Sequence, residues 1–135
     1  MTAGYSGTPL ARKLSLKDGM RVWFLDMPQS VRSEIEGADL TLSEDEVPTP
    51  GLHAAHIFVT DRDTMEQHLA TLREMIDPAG QVWVSWPKKV SKVDTDITED
   101  TIREVALPMG LVDIKVCAVD AVWSGLKLVI RKELR

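Results

Sequence analysis

The chain is predicted to be an α/β protein: a Rossmann-like, mostly parallel sheet of about six strands with helices on both faces and a C-terminal antiparallel hairpin. Three observations carry this. Short apolar runs rich in strand formers, at residues 21–26, 56–60 and 81–86, alternate with helical patterns, as βαβ units do. Between residues 61 and 76, Met65, Leu69, Leu72 and Ile76 recur at spacings of four, three and four, which is one face of an amphipathic helix. The last two apolar runs, 112–119 and 126–131, are joined only by residues 120–125, too few for a parallel crossover.

Each element follows from local chemistry. Thr8 before Pro9 reads as a helix start, with a Thr N-cap and proline at the first helical position. That helix runs through Leu10 and Leu14 to a turn at Lys17-Asp18-Gly19. Residues 21–26 form a central strand that leaves through Met27-Pro28-Gln29-Ser30. A short helix over 29–36 stops at Gly37, and residues 38–42 form a second, weak strand. Glu44, Asp45 and Glu46, with Pro48, Pro50 and Gly51, make residues 43–53 a solvated loop too proline-rich for a crossover helix. The next strand begins at Ala54 or Ala55, and the amphipathic helix follows it. Asp77-Pro78-Ala79-Gly80 breaks that helix and delivers the strand at 81–86. Asp96-Ile97-Thr98-Glu99 reads as a capping box with Asp96 as N-cap. Ile102, Val105, Ala106 and Met109 line one face of the last helix, which Pro108 and Gly110 end.

At 135 residues the chain is one domain, residues 1–135. Its net charge of -5 argues against sequence-independent nucleic-acid binding, which needs a basic surface. No apolar run approaches the ~20 residues of a membrane span, and the first residues lack the apolar core of a signal peptide. The single cysteine, Cys117, cannot form an internal disulfide. The expectation is a cytoplasmic protein with neither nucleic acid nor membrane as a partner.

The most suggestive segment is Trp86-Pro87-Lys88-Lys89, at the carboxyl end of a buried strand. In open α/β sheets ligands bind there, at the point where strand order reverses, here expected near strands one and three. Lys88 and Lys89 would neutralise a phosphate or carboxylate, and Trp86 would stack on a ring or cation, beside Asp26 and Asp61. The competing account is a solvated loop whose lysines serve solubility. Tyr5 and Ser6 lie between glycines ahead of Thr8-Pro9, where a helix N-terminus would attract an anion. Alternatively, Thr8 only caps its helix and Tyr5 covers the sheet edge. Trp123 is read as a pocket wall, an interface anchor or a lid on the bottom of the core, while Trp23 and Trp83 belong to the core. His53, His56 and His68 form no recognisable metal set, and Cys117, inside an apolar strand, behaves as a small hydrophobe.

From residue 56 to 132 the layout resembles the second half of a class I methyltransferase, with Asp77-Pro78-Ala79-Gly80 as its turn and a terminal pair flanking Trp123-Ser124-Gly125. A second resemblance runs almost end to end. It is carried by Gly4-Tyr5-Ser6-Gly7-Thr8-Pro9-Leu10, Trp86-Pro87-Lys88-Lys89, Thr95-Asp96-Ile97-Thr98-Glu99-Asp100, Gly110-Leu111-Val112-Asp113, Lys115-Val116-Cys117-Ala118 and Trp123-Ser124-Gly125-Leu126. These segments are similar to a bacterial family known only as domain of unknown function 3052, which implies no activity.

The methyltransferase resemblance implies S-adenosylmethionine as cofactor, and the chain departs from it in three places. The exit of the first strand, Asp26-Met27-Pro28-Gln29-Ser30, has no glycine before Gly37, so proline removes a donor and side chains fill the approach. The acid that would hold the ribose hydroxyls should end the second strand, where only the loop acids Glu44 to Glu46 are near. A helix and a strand are also missing before His56. The expectation is therefore a non-enzymatic binding domain with no cofactor, for a small anionic molecule or a protein partner, with a homodimer left open. Tyr5, Ser6, Asp61, Trp86, Lys88 and Lys89 would bind the ligand. The rival expectation is an S-adenosylmethionine-dependent methyltransferase with an atypical cofactor loop.

Overall fold

The structure, a computed structural model, describes residues 8–135. The chain runs α1 (Leu10–Lys13), β1 (Arg21–Leu25), α2 (Gln29–Glu36), β2 (Ser43–Glu44), β3 (Leu52–Phe58), α3 (Arg62–Met75), β4 (Ile76–Pro87), α4 (Glu99–Ala106), β5 (Leu111–Ala118) and β6 (Trp123–Ile130). Short 3₁₀ turns follow at Lys89–Ser91, Leu107–Met109 and Lys132–Leu134. The six strands form one sheet in the order β2-β1-β3-β4-β6-β5. The first four are parallel, and β6 runs antiparallel to both β4 and β5. This is the α/β architecture expected, with the order reversing between β1 and β3.

Both faces of the sheet are covered, which is why β3 and β4 read as continuous apolar runs rather than alternating ones. On one face Val82, Val84 and Trp86 pack with Met65, Leu69 and Leu72 of α3 and Ile102 and Val105 of α4. On the other, Val22, Phe58 and Trp83 pack with Leu10 and Leu14 of the α1 segment and Val31 and Ile35 of α2. Among the described residues no helix is long and apolar enough to cross a membrane.

Several boundaries differ from expectation, each for a physical reason. The first helix is a single turn, Leu10–Lys13, with Pro9 rather than Thr8 at its N-cap and no side-chain cap. Gln81 Nε2 and Trp83 Nε1 donate to the Leu14 carbonyl at 2.7 and 3.0 Å, so contacts to the sheet end the helix there. Residues 38–42 form no strand; Ser43–Glu44 do, because Ser43 and Asp45 amides donate to the Met20 and Val22 carbonyls at the edge of β1. No helix links β2 to β3. The loop between them is short because β2 is two residues long, so the chain has little height to recover before entering β3. Arg21 secures it, its Nε on Asp45 Oδ2 at 3.1 Å and its Nη2 on Thr49 Oγ1 at 3.0 Å.

Asp77-Pro78-Ala79-Gly80 lies within the span of β4 as an irregularity: pairing with β3 jumps from Leu52↔Ile76 to Ala54↔Gln81. The capping box at α4 belongs to Thr98 and Thr101, not to Asp96 and Glu99. Asp96 instead accepts from the Arg62 amide at 2.8 Å and caps α3 together with Asp61, which accepts from Thr64. The terminal hairpin is also longer than expected. Trp123, Ser124 and Gly125 are strand residues, and the turn is tied by Asp120 Oδ1, which accepts the Val122 and Trp123 amides at 2.8 and 2.7 Å.

Candidate functional site

The carboxyl ends of β1, β3 and β4 meet where the sheet order reverses, the place where an α/β sheet offers a crevice. Asp26 sits there, exposed, in the left-handed region at φ 53°, and Pro28 forms the N-cap of α2. Across β3, residues 95 and 96 lie over the strand end: Thr95 Oγ1 donates to the Thr60 carbonyl at 2.7 Å and the Asp96 amide at 3.3 Å.

Of the residues expected to form a ligand cluster, Asp61, Lys88 and Trp86 have local partners. Asp61 caps α3, and the Thr64 amide, followed by its hydroxyl, holds its carboxyl below the ordinary range. Lys88 is pinned to the terminal hairpin, its amide on Val122 O at 2.8 Å and its ammonium on Asp120 O at 2.7 Å. Trp86 is 8% exposed and packs into the α3/α4 core. Lys89 is exposed on the 3₁₀ turn. Tyr5 and Ser6 lie outside the described residues. Trp123 stands at this same end of the sheet, opposite Pro87 and edge-on to Phe58 at 5.2 Å, so it closes the top of the core rather than the bottom.

A different concavity opens at the sheet edge, a cleft of about 160 Å³ between β1, α2 and residues 40–44. Its floor is apolar: Val22, Phe24, Ile35, Leu40 and Leu42. Arg32, Glu36 and Glu44 complete the lining. Apolar cavities of about 150 Å³ admit a benzene-sized body. The Arg32 guanidinium lies 5.6 Å from the Phe24 ring centroid and grips the Glu44 carboxylate with both terminal nitrogens, Nη2 to Oε2 at 3.0 Å. Hydrogen bonding to Glu44 pushes the Arg32 pKa up, against desolvation. Both side chains remain about a third exposed, at 31% and 38%.

Glu44 ends β2, so an acid does stand at the strand end, and Arg32 already holds it. Sequence reasoning missed this pair because a two-residue edge strand carries no periodic signal. The one cue was Val31 and Ile35, four apart on α2, which point the helix's apolar face at β1 and carry Arg32 to its rim.

His56 and Ser85 form a second polar pair, buried in the sheet. His56 Nε2 and Ser85 Oγ lie 2.7 Å apart, and the imidazole stacks on Phe58 at 4.4 Å. Burial pulls the imidazole pKa down to about 3, so it is neutral at physiological pH. With His56 2% and Ser85 0% exposed, the pair is a satisfied core contact that no substrate reaches. His53 Nδ1 accepts the Arg21 amide at 2.8 Å, and His68 lies against Trp23. Among the described residues no group of three or more His, Cys, Asp or Glu side chains is placed to hold a metal ion.

Solved structures of similar architecture include methyltransferases. A SAM-dependent methyltransferase from Aquifex aeolicus aligns with a TM-score of 0.59 at 14% identity, over 90% of this chain and 88% of that one. The ribosomal protein L11 methylase from Lactobacillus delbrueckii subsp. bulgaricus aligns at 0.55 with 10% identity, covering 90% and 75%. Aeropyrum pernix fibrillarin, solved with S-adenosyl-L-methionine, aligns at 0.54 with 12% identity, covering 93% and 70%. No protein-family model, that of domain of unknown function 3052 included, matches the chain. No curated protein matches its sequence either. At such identities the likeness concerns the fold alone: a methyltransferase-like sheet of six strands in the order β2-β1-β3-β4-β6-β5.

Proposed function

We propose that the chain is a non-catalytic binding domain on a methyltransferase-like fold, and that it takes a small monoanion with an apolar body into the cleft beside β1. The observation that carries this reading is the Arg32 guanidinium, set over Phe24 and held by a replaceable Glu44. An exposed ion pair contributes about 0–1 kcal/mol, so an incoming carboxylate exchanges one bidentate partner for another at little cost. The gain comes from the floor. Apolar ligand surface buried on the accessible parts of Phe24, Leu40 and Leu42 contributes roughly 25 cal/mol per Å². Glu36 and Glu44 on the rim oppose a ligand with two negative charges. Among the described residues the lining holds no hydroxyl, thiol or imidazole, which supports binding rather than nucleophilic or general-base chemistry.

Thermal shift and calorimetry with benzoate and phenylpropionate, at constant ionic strength, test the proposal. Saturable stabilisation that Arg32→Gln abolishes is the expected result. No stabilisation of the wild type by millimolar carboxylate, or an equal response from Arg32→Gln, overturns it. Sedimentation at low concentration checks the homodimer that the sequence left open.

One observation favours a second reading. Glu44 stands at the end of β2, and several structures of similar fold were solved with SAM or SAH. An S-adenosylmethionine-dependent enzyme with an atypical cofactor loop would bind S-adenosylhomocysteine measurably once Glu44 is released. Calorimetry with Arg32→Ala and the wild type decides it. The preferred reading expects no heat from either at millimolar ligand, and saturable binding replaces it with the enzyme.

A further inference from the structure

We propose a second anion site on the α1 side of the C-terminal hairpin, where Lys115 and Lys127, flanked by Lys13 and Lys17, take a phosphate group. It stands on different side chains from the cleft and selects a different ligand charge.

The register of the hairpin creates the cluster. Lys115 and Lys127 are direct cross-strand partners in the β5–β6 pairing. Side chains so placed leave one face of the sheet roughly 5 Å apart, and like charges at that separation destabilise the pair. Both then reach toward the end of α1: Lys115 Nζ donates to the Lys13 carbonyl at 3.0 Å and Lys127 Nζ to Ser15 Oγ at 3.1 Å. Each ammonium has three donors, so two remain on each for an external acceptor. Lys13 and Lys17 belong to the same neighbourhood. Burial, then Lys115 and Lys17, lower the pKa of Lys127, and the adjacent Cys117 thiol feels both Lys115 and Lys13.

What is missing is a counter-charge. Arg21, Arg32, Arg62, Arg103 and Arg131 each pair with a carboxylate, whereas among the described residues none of these lysines does. In a chain with 21 acids against 16 bases, four lysines together without a carboxylate leave this patch locally positive. Clamping α1 explains it only in part. Lys115 caps a helical carbonyl, but Gln81 and Trp83 already hold the Leu14 carbonyl, and Lys127 reaches a hydroxyl. Two ammonium groups carried by cross-strand partners and held at neighbouring points, the Lys13 carbonyl and the Ser15 hydroxyl, suit a compact dianion whose oxygens bridge them. An extended polyanion such as nucleic acid would meet the net negative charge of the remaining surface.

The test is titration with inorganic phosphate against potassium chloride of equal ionic strength, read by melting temperature and by amide chemical shifts. The wild type should show a saturable phosphate-specific rise in Tm, with amide shifts centred on Ser15, Lys115 and Lys127. Lys115→Gln and Lys127→Gln should each weaken binding by about tenfold or more. Without phosphate they should be at least as stable as the wild type, because a like-charge contact has gone. Lys132→Gln, on the exposed C-terminal turn, should bind as the wild type does. A wild-type response no greater than that to chloride overturns the site. So do glutamine variants that keep full affinity, or shifts confined to other residues, a readout that holds even if a variant fails to fold. None of these outcomes bears on benzoate binding through Arg32, so the two proposals fail separately.

Discussion

Acidification should destabilise this protein through His56, by an amount that can be worked out. The imidazole is 2% exposed, hydrogen-bonded to Ser85 and stacked on Phe58, and burial pulls its pKa down to about 3. In the unfolded chain a histidine titrates near about 6.5. Between these values the unfolded state binds a proton that the native state refuses, so stability falls as pH falls through this window. The slope is about 1.4 kcal/mol per pH unit, which gives a loss of about 2 kcal/mol from pH 7 to about pH 5 and about 4 kcal/mol by pH 3. Losses of this size are a large part of the total stability of a domain. The assay is urea unfolding of the wild type and His56→Gln at a series of pH values. Glutamine keeps a hydrogen bond to Ser85 but does not titrate. The variant should be less stable at neutral pH, having lost the stack on Phe58, yet the wild type's advantage should shrink by about 2 kcal/mol on going to about pH 5. Titrations common to both proteins cancel in the difference. A difference that stays flat with pH would refute the account of His56 as a neutral group sealed in the sheet.

Other perturbations follow from the same geometry. A Cβ added at Gly80 would lie 3.0 Å from the backbone oxygens of Leu52, His53 and Asp77, which cannot swing away. Gly80→Ala should therefore lower stability by about 1–3 kcal/mol in denaturant melts. Thr98→Ala should cost about 1 kcal/mol and fray α4, whereas Asp96→Ala should speed amide exchange at Arg62 in α3 while leaving the first turn of α4 protected. Cys117 is half-buried, and desolvation raises its thiol pKa against the pull of Lys115 and Lys13. It should react with a thiol reagent far more slowly in the native protein than in urea, and a native rate equal to the unfolded one would contradict the packing of β5.

Strong patterns in the sequence corresponded to real elements. The spacing of Met65, Leu69 and Leu72 is α3, while Ile76, expected to continue that face, is extended and opens β4; the runs around Trp23, Ile57 and Val84 are the central parallel strands. The proline-rich loop carries no helix, and the terminal pair is antiparallel. Elements without a pattern were misplaced. Ser43–Glu44 is a strand only because the β1 carbonyls of that edge need donors. Asp96 looked like a cap for the helix that follows it in sequence, and it caps the helix that lies beside it in space.

The candidate site shows the same division more sharply. Trp86, Lys88 and Asp61 were rightly located at strand ends, but their partners, the α3/α4 core, the Asp120 carbonyl and the Thr64 amide, belong to contacts that spacing does not encode. The Arg32–Glu44 pair joins residues 12 apart in sequence, and Lys115 meets Lys127 through a register that only the folded hairpin sets. By itself the sequence determined which faces of which segments are apolar, because periodicity records burial along the chain. Which charge meets which was decided by the tertiary structure, since register and strand order bring together side chains between which the chain carries no local signal.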